Sequence, residues 1–172
     1  MMDKNKKLRK LTMGLFVIYF VILTWVILFK MELDISLLQK MNFRSVNLIP
    51  FSASLEINGK IEVSEIVLNM IVFIPFGLYL SMLKSKWNFI QKVLPIFGAS
   101  LLYEGMQYIL AIGGSDITDL IMNTLGGIVG LGVYFICSKL LGKKTIKVLN
   151  IFAMVGTICV VLLLGLLMLA NI

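Results

Sequence analysis

Residues 116–138 read DITDLIMNTLGGIVGLGVYFICS. From Leu120 onward this stretch has 19 residues with no charged side chain, about what an α-helix needs to cross a bilayer core, roughly 17–25 residues. Its start is different. Asp116, Thr118, Asp119 and Asn123 stand in the first turns, where a helix bathed only in lipid has nothing to satisfy them. Four more apolar runs flank the stretch: Leu11–Phe29, Ile66–Leu83, Val93–Ile112 and Val148–Ala170. The whole chain of 172 residues is 59% hydrophobic and 15% charged, with a mean hydropathy of +0.99. A soluble domain runs about 45–50% apolar and about 25% charged, so the surplus must face lipid. The sequence predicts a single all-α integral membrane domain over residues 1–172, with five transmembrane helices.

Charge orders those helices. The N-terminal tail and the loops 84–92 and 139–147 carry 12 of the 16 basic residues and one acid, Asp3. The loop 30–65 carries four basic and five acidic residues. By the positive-inside rule the N-terminus is cytoplasmic, the C-terminus extracytoplasmic, and one long outer loop joins helices 1 and 2. The first run is too long for a signal-peptide core and reads as an uncleaved anchor. The net charge of +7 then needs no nucleic-acid partner, because lipid and topology account for it.

Histidine is absent and there are two cysteines, which excludes imidazole-ligated metals and His-dependent triads. Cys137 and Cys159 lie inside apolar runs and read as small buried hydrophobes, not as a disulfide. No metal site or cofactor is expected. Function therefore falls to the few polar groups within the spans, where an ionisable residue is a functional hypothesis by default. The third span carries Glu104 and, one turn on, Gln107. At 1.5 Å per residue Glu104 lies roughly 12 Å below the outer boundary, and Asn69 and Asn123 roughly 6–10 Å below it. Glu104, Gln107, Asp119, Asn123 and Asn69 thus share one slab in the outer leaflet. Glu104/Gln107 and Asp119/Asn123 are spaced to share a helix face. They form either a structural network of interhelical hydrogen bonds or a ligand pocket.

Ser64 to Asn69 match Thr118 to Asn123 in chemical type, each beginning with an N-cap hydroxyl and an acid, as a parallel repeat would. Gly126 and Gly130 permit a close helix approach, and Pro75 loosens the second span and frees a carbonyl. In the outer loop the segment 42–51 is half apolar and suited to the interface. Its Arg44, the one arginine outside the cytoplasmic tail, suits either a carboxylate of the cluster Glu104, Asp116 and Asp119 or a lipid phosphate.

Four strings also carry a likeness. Arg44-Ser-Val-Asn47-Leu-Ile-Pro50-Phe51, Asn69-Met-Ile-Val-Phe-Ile-Pro75-Phe-Gly77, Glu104-Gly-Met-Gln107 and Asp116-Ile-Thr-Asp119-Leu-Ile-Met-Asn123-Thr-Leu-Gly126-Gly127 resemble, in order, the VanZ-like membrane proteins. The resemblance covers about residues 44–130 and marks Arg44, Asn47, Asn69, Glu104, Gln107, Asp119 and Asn123 among the family's recurrent polar positions. Many relatives have an arginine just before the Asp-x-x-Asp stretch, where this chain has Gly113-Gly114-Ser115. The resemblance implies low-level resistance to teicoplanin and related lipid-bearing glycopeptides, at a plasma membrane beneath a peptidoglycan wall.

Three functions compete. In the first, a non-enzymatic pocket of Arg44, Asn47, Asn69, Glu104, Gln107, Asp116, Asp119 and Asn123 binds a lipid-linked peptidoglycan precursor or a lipoglycopeptide. In the second, Glu104 and Asp119 act as acid and base on a lipid-linked substrate. No nucleophile beside a base and no phosphate-binding loop supports that reading. In the third, the chain is a small transporter or a scaffold for another enzyme.

Overall fold

The computed structural model describes residues 2–29, 43–51 and 63–170. Five α-helices lie in them: α1 (Met2–Phe29), α2 (Val63–Leu83), α3 (Phe89–Leu110), α4 (Ile117–Leu141) and α5 (Thr145–Ala170). A 3-10 turn, Gly142–Lys144, joins the last two. Four helical stretches are long and apolar enough to cross a membrane: Lys6–Leu28, Ile66–Leu83, Phe89–Leu110, and Ile117–Leu166, which runs through α4, the turn and α5. The chain is mostly helical, but two strands add to the all-helical expectation. β1 (Phe43–Asn47) and β2 (Ile112–Asp116) pair in parallel, Arg44 opposite Gly113 and Asn47 opposite Asp116. From sequence alone both segments are expected as loop and turn.

The side chains are distributed as in a bundle whose solvent is apolar. Leu140, Phe152 and Ile109 are at least 70% exposed, whereas Thr12, Ser100, Glu104, Gln107, Asn123 and Asn150 are buried. Polar groups turn inward because only neighbouring helices can satisfy them in lipid. The apolar core joins Leu23, Ile27 and Leu28 of α1 to Phe73, Phe76 and Leu80 of α2, Ile96 and Tyr103 of α3, and Leu131 of α4. Cys137 and Cys159 are free thiols. The expectation that both are buried is not met: Cys137 is half-buried on α4 and Cys159 is exposed on α5.

Glycine sets the closest helix approach. A methyl group at Gly126 would strike the carbonyl oxygen of Met70, and one at Gly130 the carbonyl oxygen of Ile74. These pairs advance together along both helices, so α2 and α4 run parallel. Within α2, Pro75 has no N–H to offer the preceding turn, and the Tyr19 hydroxyl donates to the nearby Val72 carbonyl at 2.8 Å. An Asn88–Gln91 capping box starts α3. Ala111, left-handed at φ 57°, ends it and turns the chain into β2.

The bundle thus has two unlike ends. At one, Thr12 of α1 bonds Asn150 of α5 at 3.0 Å, and Asn150 donates to the Leu8 carbonyl. At the other, Gln107 of α3 donates to the Ile27 carbonyl of α1 at 2.9 Å, beside the two strands. The sheet end holds the polar cluster.

Candidate functional site

Asp116 lies at the centre of that cluster because it closes β2 and opens α4. Its Oδ1 accepts the Thr118 backbone N–H at 2.7 Å, which caps the helix. Its Oδ2 accepts from Asn47 Nδ2 at 2.9 Å, and its own backbone N–H donates to Glu104 Oε2 at 2.8 Å. One residue therefore ties β1, α3 and α4 together. Asn47 in turn accepts the Ile49 N–H at 3.1 Å, an Asx turn that bends the chain after β1. The expected hydroxyl cap is corrected here: Asp116 caps α4, while Thr118 Oγ1 accepts the N–H of Phe51 at 2.9 Å. Phe51 sits at φ 63°, an uncommon conformation for a bulky side chain.

Beneath this layer, α3 turns one stripe inward: Ile96, Ser100, Tyr103, Glu104 and Gln107. Glu104 is 3% exposed, and Asn123 and Ser100 are fully buried. Asn123 Nδ2 donates to Ser100 Oγ at 3.0 Å. Two amide oxygens on these walls, Gln107 Oε1 and Asn123 Oδ1, are buried with no hydrogen-bond partner. An orphaned buried acceptor costs about 1–3 kcal/mol, and native folds have few of them. One lies on α3 and the other on α4, so among the described residues both helices carry a buried acceptor without a donor.

The structure therefore brings together Glu104, Asp116 and Asn47, and holds Asn123 against α3 through Ser100. Asp119 lies half-buried in the first turn of α4, where the helix dipole favours an acid. Asn69 is half-buried on α2. Arg44 departs from one of the two arrangements considered for it: its guanidinium is exposed and reaches the Ile109 carbonyl at a long 3.4 Å. Ser100 is a member not singled out from sequence; its signal is the i, i+4 spacing of Ser100 and Glu104 on one face of α3. Gly114 belongs as well, since a side chain there would collide with Ser45 across the sheet.

Residues 16–138, a span that holds the whole cluster, match the VanZ/LLP1 family. The chain belongs to the VanZ/LLP1 family. Protein VanZ of Enterococcus faecium is similar to it, 40% identical over 154 residues that make up 90% of this chain and 91% of that protein. No solved structure matches the chain. The VanZ/LLP1 match extends beyond the residues 44–130 that carried the likeness in sequence, taking in the second half of α1, and it stops before α5.

Proposed function

We propose that this protein crosses the plasma membrane five times, N-terminus inside and C-terminus outside, and contributes to low-level resistance to teicoplanin and related lipid-bearing glycopeptides. The cluster around Glu104 then opens toward the cell exterior and binds a lipid-linked peptidoglycan precursor or the lipoglycopeptide. The stretch Ile117–Leu166 spans 50 residues, about twice one crossing, and Gly142 (φ 52°) divides it into two. Lysines crowd the end opposite the sheet, as a cytoplasmic end requires. The observation that carries the reading is the buried Glu104 carboxylate, which takes the Asp116 amide beside two amide oxygens that lack donors. The reading needs no cofactor. It is a binding function, with Glu104, Gln107 and Asn123 as acceptors and Asp116 and Asn47 holding the mouth in shape.

The test is Glu104→Gln in a glycopeptide susceptibility assay, with membrane abundance measured in parallel. Protection is lost while the protein accumulates normally; a variant that protects like the wild type removes the cluster from the function. Mass spectrometry of wall precursors supplies the other arm. A covalent change that depends on Glu104 would replace the binding reading with catalysis by Glu104 and Asp119. Topology is tested with single cysteines in a chain whose Cys137 and Cys159 are replaced. A membrane-impermeant maleimide labels position 48 in intact cells and leaves positions 86 and 144 unlabelled.

A further inference from the structure

The end of the bundle away from the cluster has its own unexplained feature. Between α1, α2 and α5 lies a cavity of about 350 Å³, walled by residues that include Tyr19, Pro75, Tyr79, Met82, Leu149 and Gly156. It exists because α5 is tied to α1 near its start, through Asn150, and its later turns are largely exposed. The Tyr19 hydroxyl is engaged by the Val72 carbonyl, and the rest of the wall is almost wholly carbon. A void lined by carbon forfeits dispersion contacts on its empty side, and about 350 Å³ is too little room for even a few turns of a helix about 10 Å across. In a bilayer the filler of that shape is an acyl chain.

The rim says which lipid. The cavity reaches Met82 and Leu149 in the end turns of α2 and α5, and the exposed Lys84, whose Nζ lies over the Trp87 ring, and Lys147 stand at that same end of the bundle. Lys143 and Lys144, also exposed, form the turn between α4 and α5. The described acidic side chains, Glu104, Asp116 and Asp119, belong to the opposite end, and no described carboxylate pairs with these lysines. Charge of one sign at a membrane surface attracts anionic headgroups.

We infer that this groove is a binding site for an anionic phospholipid, one acyl chain between α1, α2 and α5 and the phosphate on the rim of Lys84 and Lys147. The site stands apart from the Glu104 cluster and does not depend on its function.

The experiment uses the full chain reconstituted in vesicles of equal phosphatidylcholine and phosphatidylglycerol, re-extracted in mild detergent and read by native mass spectrometry for retained lipid. Wild type retains phosphatidylglycerol over phosphatidylcholine by at least about fivefold, the factor expected for one lysine near a headgroup. Gly156→Phe removes the bound lipid, because a side chain there starts in open space and grows into the groove. Gly132→Phe, equally open but on α4, leaves retention unchanged. Lys84→Gln with Lys147→Gln brings the ratio of the two lipids toward one. Equal retention of both lipids by wild type overturns the inference, as does a Gly156→Phe protein that holds phosphatidylglycerol as wild type does. If Gly156→Phe fails to run as a monodisperse peak, the smaller Gly156→Leu takes its place with the same two readings.

Discussion

The double variant Asn123→Leu, Ser100→Ala separates a working pocket from structural glue. Both residues are fully buried, and between them they make one hydrogen bond, Nδ2 to Oγ at 3.0 Å. An interhelical bond of this kind contributes about 0.6 kcal/mol in a membrane bundle. Against it stands Asn123 Oδ1, buried without a donor, at a cost of about 1–3 kcal/mol. Leucine has the same branching with no orphan, and Ser100→Ala leaves no hydroxyl behind and frees a little room for it. The variant is therefore more stable by about 0.5–2 kcal/mol, and its thermal midpoint in detergent rises by about 2–4 °C for each kcal/mol gained. On the proposed binding reading, the same protein gives no protection in the susceptibility assay, because that reading assigns the acceptor at 123 to the ligand. A variant that is stabilised and still protects would show that the oxygen at 123 has no part in function. A variant destabilised by more than about 1 kcal/mol would refute the energetic comparison, since the lost bond is worth less than that.

Three other perturbations follow from the same geometry. Gly130→Leu drives a side chain into the Ile74 carbonyl and the Gly77 backbone, so α2 and α4 must part; an overpacking cost of about 1–3 kcal/mol lowers the thermal midpoint, while Gly132→Leu, with nothing near its new side chain, leaves it unchanged. Asp116→Ala removes the acceptors for Thr118 N–H and Asn47 Nδ2 and costs about 0.5–2 kcal/mol as a lost cap; hydrogen exchange at the Thr118 amide accelerates, and Asp116→Asn restores most of its protection. Tyr19→Phe uncovers the Val72 carbonyl beside Pro75 at about 0.5–1.5 kcal/mol, read as a lower thermal midpoint with membrane abundance retained.

The helices were legible because each membrane-length run must satisfy its own backbone and so announces itself one segment at a time. The inward polar stripe was legible for the same reason: Glu104 and Gln107 cannot face acyl chains, and their i, i+3 spacing names a common face. Gly126 and Gly130 announced a close helix approach, and the folded chain supplies α2 as the partner. What stayed hidden was long-range pairing. Phe43–Asn47 and Ile112–Asp116 lie about 70 residues apart, and neither Arg-Ser-Val-Asn nor Gly-Gly-Ser has the alternation of a half-buried strand. The cap was misread because Thr118 is a good N-cap type in isolation; its hydroxyl is taken by the Phe51 amide, a partner that only the folded chain supplies.

The sheet and the buried acid belong to one arrangement. After Ala111 the chain reverses toward α4 through five extended residues, and extended backbone at the mouth of a membrane bundle exposes amides and carbonyls that lipid cannot satisfy. β1 takes up part of that demand along β2. The last amide of β2, that of Asp116, is taken by the Glu104 carboxylate, and the Asp116 side chain then holds both Asn47 and the first turn of α4. Glu104 is consequently placed by a strand that precedes α2, by a helix that precedes β2 and by the start of α4 at once. A perturbation of any one of the three moves the carboxylate, so function should be as sensitive to Asn47, at the edge of the cluster, as to Glu104 at its centre. Substitutions at Leu102 or Ile109, two and five residues from the same acid but exposed on the outer surface of α3, should leave it in place.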